Sequence, residues 1–553
     1  MNWNATDVET ATPVVLAVIK LPARVPVSDP RYGGPILLNP GGPGGSGVGL
    51  ARNEGAQIQT LADAAHLGDS DTYVPKNVSA GGKFFDIIGW DPRGVGATTP
   101  WHGCFTDPRD LAQWAAGTTI VPGTLEGNLE EMWTKQMALA KGCFANTKLN
   151  PEGDKIVDFM TTEVVVRDMV EILEKHGQWR EAELTKSAIT SRADQAVLSV
   201  GQTDIESLLE ERRYHKDNEP LQYWGFSYGT ILGATFATLQ PHRAHRMIVD
   251  GVSDSIDYYE GGWISNLYDT NDIMVNFFKY CHAAGPQNCS LALEEDLSPV
   301  DISARWAAVE SRILTSGSIP VPGTAEHGPQ VIMMSDIHNL VFKTLYSPMR
   351  LFPGMADLMA PLAFTINDTF PNATDLAAWK SSATRSRLEF LVHPDCTSNN
   401  TSIWNPDCTS LSGAGDGGNA ATLGIMCRDG DPRVMLDMTL DEWRDDIAQL
   451  QNQSLWFGAE WARVRLSCAG WPDRPNTTGH WFPWDRSHGA AGLEEQLGSN
   501  ATAHPMLFIG NTLDPVTPLR NAHKMAAKFK GAVVLQNDYE GHCTSKLTFC
   551  AVS

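Results

Sequence analysis

Short apolar runs alternate with helix-period stretches through the first part of the chain. Residues 12–20 alternate loosely and are rich in Val and Ile, which predicts a strand. Residues 35–38, 84–88, 221–224 and 247–249 are further apolar runs of strand length. Residues 162–173 place Val164, Val165, Met169 and Ile172 on one side of a helix. Residues 231–239 read as a helix of small residues, and residues 180–218 as a charged, partly helical excursion before the next strand. Strand and helix in alternation predict the α/β class: a mostly parallel sheet with helices on both faces.

The texture changes near residue 255. From there to about 490 the chain has helix-like segments, proline-rich turns and tryptophans, without clean strand-helix units. Strand-like runs return at 505–509 and 532–535. The expected organisation is a catalytic core in two pieces, 1–255 (with an insertion at 180–218) and 491–553, around a mainly helical cap at 256–490. A chain of 553 residues exceeds what one compact domain holds, which agrees with an inserted cap.

Chemistry enters at Gly225-Phe226-Ser227-Tyr228-Gly229. A strand before it and a helix after it make this G-x-S-x-G a nucleophile elbow, with Ser227 in a strained turn. A serine needs a base, and the base needs an orienting acid. Asp514 follows the 505–509 strand and His542 follows the 532–535 strand. In an open α/β sheet functional groups gather at such carboxyl ends. The chain order Ser, Asp, His is that of α/β-hydrolases. His542 is then the base for Ser227, and Asp514 its orienter. The rivals are weaker. Asp538 is too near His542 in sequence, Asp429 falls in the cap, His504 precedes its strand and His523 opens a helix.

The glycine-rich run at 41–47 has a role in this scheme. Acyl transfer builds negative charge on a carbonyl oxygen, and two backbone N–H groups must meet it. Tyr228 supplies one and Gly42 or a neighbour the other. The run lacks the full dinucleotide fingerprint and any G-K-[S/T]. Asp91 and Arg93 sit in another strand-end turn and read as structural. No cofactor or metal is expected, since the serine mechanism needs none.

Composition narrows the partners. A net charge of −23 argues against a nucleic-acid groove. No apolar run is long enough for a membrane span. Ten cysteines without C-x-x-C pairs suggest disulfides, with Cys281–Cys289, Cys396–Cys408 and Cys543–Cys550 as sequence-neighbour candidates. N-x-S/T sequons stand at Asn4, Asn77, Asn288, Asn367, Asn372, Asn399, Asn400, Asn452, Asn476 and Asn500. Cysteines and sequons together point to the secretory pathway, although no signal peptide is evident.

These motifs resemble the tripeptidyl- and prolyl-aminopeptidase-like serine hydrolases, a secreted branch of the α/β-hydrolases. Residues 39–47 resemble that branch's oxyanion loop, and Gly89-Trp90-Asp91-Pro92-Arg93-Gly94-Val95-Gly96 its second signature. Gly225 to Thr230 resemble its elbow, and Val249-Asp250-Gly251-Val252 its next strand. Asp514-Pro515-Val516-Thr517-Pro518 and Gly541-His542 resemble its acid and histidine turns. Cys427 with Asp429, and Cys468-Ala469-Gly470-Trp471, are similar to the start of its C-terminal region. The resemblance implies a cap, secretion, and release of short peptides from a free N-terminus, with Ser227, Asp514 and His542 as triad. Two departures stand out: the long 180–218 segment, and a start closer to the first strand than in relatives with a leader.

A peptidase of this kind must hold an amine. Asp257, Glu260 and Asp269, with Asp254 and Asp272, form an acidic group that serves this or simply faces water. The alternative is a carboxylic-ester hydrolase, for which Tyr258, Tyr259, Trp263, Trp456 and Trp461 would line an aromatic pocket. Either way the expected partner is a small peptide or small ester. A catalytically silent binding protein is disfavoured, because all three triad positions and the oxyanion glycines are present.

Overall fold

The structure, a computed structural model, describes residues 13–63, 82–105, 128–145, 156–195, 212–321, 330–365, 417–472 and 494–544, with a few isolated positions between them. Seven strands form the main sheet: β1 (Val18–Leu21), β2 (Tyr32–Asn39), β3 (Phe84–Trp90), β4 (Leu221–Phe226), β5 (Ala244–Asp250), β8 (Leu507–Leu513) and β9 (Val533–Glu540); β6 (Ile319–Val321) and β7 (Gln330–Ile332) form a separate two-stranded ribbon. The order across the sheet is β1-β3-β2-β4-β5-β8-β9. Only the edge pair β1–β3 is antiparallel; every other pair is parallel. This is an α/β-hydrolase fold.

Burial on both faces explains the near-continuous apolar strands. All seven residues of β3 are buried. On one face Leu37, Ile88, Trp90, Tyr223, Val249 and Phe508 pack with helix residues. On the other, Leu38, Ile87 and Phe226 meet Leu50 and Ile58 of helix α1 (Gly47–Ala62). Helix α2 (Asn128–Ala145) and helix α3 (Thr162–Gln195) follow β3, and α4 (Tyr228–Leu239) follows β4. Helix α3 extends well beyond the 162–173 read from periodicity and runs into the charged 180–218 segment. Its charged half is held by Arg180, which forms a two-pronged ion pair with Glu219 at 2.8 Å on each oxygen. Residues 196–209 of that segment lie outside the described residues.

Sheet order positions the loops. The chain goes from β2 outward to β3, then returns to β4 on the other side of β2. Such a reversal opens a crevice at the strand ends, where ligands bind in open α/β sheets. Asn39 pairs with Gly225 in register, so the loops after β2 and β4 leave the sheet side by side. Leu513 pairs with Glu540, so Asp514 and His542 also emerge together.

Between β5 and β8 lie α5 (Ser255–Glu260), α6 (Thr270–Ala284), α7 (Pro299–Ser316), α8 (Met334–Tyr346), α9 (Pro348–Phe364), α10 (Gly417–Asp429), α11 (Pro432–Met435), α12 (Leu440–Gln453) and α13 (Gly458–Leu466). The β6–β7 ribbon falls within this mainly helical region. Ile273, Phe277, Trp306, Ile337, Met359 and Trp443 share a buried cluster there. A further helix, α14 (Leu519–Ala526), joins β8 to β9.

Disulfides join Cys104 to Cys143, Cys281 to Cys289 and Cys427 to Cys468, and Cys543 is also disulfide-bonded. Cys281–Cys289 is one of the neighbour pairs read from sequence. Cys396, Cys408 and Cys550 lie outside the described residues. Among the described residues no helix is long and apolar enough to cross a membrane.

Candidate active site

Ser227 has φ 54° and ψ −124°, a conformation that L-residues adopt only under strain. Two close approaches enforce it. A methyl group at Gly225 would meet Tyr223 Cε1 at 2.4 Å and Gly229 O at 2.5 Å. One at Gly229 would meet Asn39 O at 2.8 Å. The Ser227 N–H donates to Asp250 O at 3.0 Å, which ties the elbow to the end of β5. Ser227 stays partly exposed while its neighbours Phe226 and Tyr228 are buried.

His542 and Asp514 form a buried pair. Nδ1 of His542 lies 3.0 Å from both Oδ1 and Oδ2 of Asp514. Asp514 is fully buried and His542 nearly so. Three backbone N–H groups aim the carboxylate: Val516 at 3.0 Å and Thr517 at 2.8 Å on Oδ1, and Cys543 at 3.1 Å on Oδ2. The Thr517 hydroxyl also contacts His542 Nδ1 at 2.9 Å. Tyr346, at the end of α8, packs its ring edge-on against the imidazole at 5.0 Å and accepts the His542 N–H at its carbonyl. Nδ1 thus faces the carboxylate, and Nε2 is the ring nitrogen without that contact.

The elbow and the histidine turn meet through Asp250. Its carbonyl holds Ser227, and its carboxylate accepts from Thr544 N at 2.9 Å and Thr544 Oγ1 at 2.6 Å. Burial pushes the Asp250 carboxyl up to about 6, with the Thr544 bonds opposing that shift. A methyl group on Gly251 would lie 3.3 Å from His542 Cε1, so this glycine clears space for the ring. Sequence reading placed Asp250 only as part of a strand. The signal available was a carboxylate at the end of a buried parallel strand, where it must find partners.

The glycine loop approaches Ser227 closely. A methyl group at Gly41 would lie 2.5 Å from Phe226 O, 2.8 Å from Ser227 Cβ and 3.1 Å from Tyr228 N. Gly41 itself donates to Asn39 Oδ1 at 2.9 Å. Tyr228 opens α4, so its N–H is one of the helix donors without an intrahelical partner. Gly42, the next residue, also has a positive φ, +114°.

Asp91 and Arg93 lie behind this loop. Asp91 Oδ1 accepts from Ser46 Oγ at 2.6 Å and Val48 N at 3.1 Å, and Oδ2 from Ala97 N at 2.9 Å. It therefore joins the start of α1 to the turn after β3. Arg93 forms a buried bidentate pair with Asp168 of α3 at 2.6 and 2.8 Å.

The acidic group divides. Asp257 is buried and spends Oδ2 on Ser265 N and Oγ, at 2.9 and 2.7 Å. Glu260, three residues on from Asp257 in α5, stands near Asp254, Asp257 and Lys524, and burial raises its carboxyl. Asp269 reaches Asp514: its Oδ2 accepts the Asp514 N–H at 3.1 Å. Burial pushes its carboxyl up to about 6, and the nearby Asp514 charge adds to the rise. Of the aromatics, Tyr258, Tyr259, Trp263 and Trp461 form one contiguous cluster, whereas Trp456 packs on Trp306 and Phe278 inside the cap. Among the described residues no group of three or more His, Cys, Asp or Glu is placed to hold a metal. Cys543, beside His542, is committed to a disulfide.

Residues 453–553, which contain the acid and histidine turns, match the family model described as TAP-like protein. The C-terminal region of this chain is similar to that family. A tripeptidyl aminopeptidase of Streptomyces coelicolor is 27% identical over 219 residues, 40% of this chain and 28% of that protein. The chain therefore spans little more than a quarter of that relative. The serine protease Hip1 of Mycobacterium tuberculosis is 22% identical over 515 residues, 92% of this chain and 75% of its own length. Carboxylesterase B of the same organism is 38% identical over 101 residues, 18% of this chain and 15% of its own length.

Proposed function

We propose that this protein is a serine hydrolase that releases short peptides from a free N-terminus through an acyl-enzyme. The observation that carries the reading is the buried Asp514–His542 pair, tied through Asp250 to the strained Ser227 elbow. The tripeptidyl aminopeptidase and serine protease relatives support the peptidase class.

In this reading Ser227 Oγ attacks the acyl carbon while His542 Nε2 takes its proton. The carbonyl π pair moves onto oxygen, where the N–H groups of Tyr228 and Gly42 receive it. Collapse breaks the C–N bond, and the leaving amine takes the proton from His542. Water then repeats the sequence on the acyl-enzyme and releases the acid. Asp514 holds the imidazole and stabilises its cation. Asp91 and Arg93 support the loops and touch no substrate. Asp269, bonded to Asp514, is the acidic residue best placed to meet a substrate amine, since Asp257 is occupied by Ser265. Residues 256–490 act as a cap that limits access to small substrates.

The second reading is a carboxylic-ester hydrolase. The same triad cleaves esters, and the carboxylesterase B relative favours this class. Disulfides, and the exposed sequon asparagines Asn288, Asn452 and Asn500, support a secretory location for either enzyme.

A matched panel separates the two: free and N-acetylated di- and tripeptide anilides against aryl and methyl esters, with Ser227→Ala as control. The peptidase reading expects strong preference for free-amine peptides. Turnover of esters alone assigns the esterase. Hydrolysis retained by Ser227→Ala overturns both.

A further inference from the structure

Helix α10 belongs to the cap region, yet it bonds directly to the glycine loop and, through Thr162, to the residue after Ser227. Thr422 donates its hydroxyl to the carbonyl of Pro43, in the glycine loop. Asp429, at the other end of the helix, accepts from Thr162 N at 2.9 Å, Thr162 Oγ1 at 2.5 Å and Tyr258 OH at 2.8 Å. The Thr162 hydroxyl also bonds the hydroxyl of Tyr228, the residue after Ser227. Thr422 and Asp429 are seven residues apart, two helical turns, and so lie on one face.

The helix has little freedom to shift. Ala420, Ala421, Ile425 and Met426 are buried in one cluster with Tyr228 and Tyr258. The Cys427–Cys468 disulfide links the helix to the turn after α13. Arg428 is fully buried along its side chain and reaches Asp158 at 2.6 Å and Pro472 O at 2.9 Å.

Two N–H groups stabilise an oxyanion well only if they already point at one spot before charge develops. One donor here lies on a glycine-rich loop and the other at a helix start, in segments far apart in sequence. We infer that helix α10 is the brace that sets their separation, with Thr422 and Asp429 as positioning residues that touch no reacting atom. Thr422 fixes the Gly41–Pro43 side, and Asp429, through Thr162, fixes the Tyr228 side. The inference rests on the triad reading proposed above.

Thr422→Val keeps the shape of the side chain and removes the donated bond; Thr422→Ser keeps the bond. Outright loss of an oxyanion donor costs about 10²–10³ in kcat, so a displaced donor in Thr422→Val should cost about tenfold or more, with KM within about twofold. Asp429→Asn should fall in the same direction. A free-amine tripeptidyl trifluoromethyl ketone supplies the discriminating readout. Ser227 Oγ adds to its carbonyl carbon, the π pair becomes an oxyanion, and the serine proton passes to His542. Affinity for this ketone should fall in parallel with kcat in Thr422→Val and return in Thr422→Ser. Affinity for the corresponding tripeptidyl alcohol, which has no carbonyl and forms no oxyanion, should not change. Wild-type kcat in Thr422→Val, or equal losses for ketone and alcohol, overturns the brace. Ser227→Ala is assayed alongside. Turnover retained there overturns the triad reading itself, whereas an inactive Ser227→Ala beside an unimpaired Thr422→Val overturns the brace alone.

Discussion

His542 Nδ1 stands 3.0 Å from each carboxylate oxygen of Asp514, and the carboxylate is held by three backbone N–H groups. The acid is thus aimed by the chain before any substrate arrives. Asp514→Asn would put an amide among groups that donate, so the imidazole loses its fixed tautomer. The expected result is a fall in kcat of about 10⁴ with substrate binding largely kept. Steady-state kinetics beside a product-binding titration checks this; a kcat within tenfold of wild type would refute the role.

Gly41 gives a steric prediction. Alanine there meets Phe226 O at 2.5 Å and Ser227 Cβ at 2.8 Å, at φ +97°. Gly41→Ala should lower both the melting temperature and kcat. Gly354 in α9 is the control, since a methyl group there meets nothing within 4 Å. Gly354→Ala should leave activity unchanged and add roughly 0.4–1 kcal/mol of stability. Thermal melts of the two variants decide the point, and equal behaviour would contradict the crowding.

The Arg93–Asp168 pair is buried on both sides. Arg93→Met would strand the Asp168 carboxylate in an apolar site. Denaturant titration should show a loss of about 3–5 kcal/mol, the cost of breaking a buried pair. The folded fraction should keep nearly normal kcat. A catalytic collapse without destabilisation would move Arg93 into the chemistry.

Asp269 links pH to stability. Its folded pKa of about 6 lies above that of a free carboxyl. The folded state therefore holds this proton more tightly than the unfolded chain does. That contribution is complete below about pH 4 and is lost as pH rises through about 6. Asp269→Asn removes the titration and keeps an acceptor for the Asp514 N–H. The variant should gain in melting temperature relative to wild type as pH rises from 4 to 6.5, by at most ~3 kcal/mol in stability. A difference that does not change with pH would contradict the shift. If Asp269 also holds the substrate amine, KM should rise for free-amine peptides and stay constant for esters.

Much of the catalytic core was legible as apolar runs punctuated by glycine. Each strand expected in the sheet is present, the first only as Val18–Leu21 at the exposed edge rather than 12–20, because a parallel sheet buried on both faces needs continuous apolar runs and leaves that trace in sequence. The ends were less legible. β8 continues through Leu513, past the apolar 505–509, because Asn511 and Thr512 satisfy their polar groups on Gly541, Cys543 and Asn537. The cap left no period-2 or βα signature, and its β6–β7 ribbon of three residues per strand was invisible for that reason. Long-range polar contacts were least legible of all. Asp429 with Thr162, 267 positions away, and Asp250 with Thr544 follow from topology, and no local pattern announces them.

The central claim is that Ser227 is the nucleophile, activated by His542. Its most direct test is labelling with a fluorophosphonate, followed by peptide mapping on a mass spectrometer. Ser227 Oγ should attack phosphorus and expel fluoride, with its proton passing to His542. The account predicts one phosphonylated residue, Ser227, with labelling abolished in Ser227→Ala and strongly slowed in His542→Ala. A label on another residue, or full hydrolytic activity in fully labelled or Ser227→Ala protein, would contradict it.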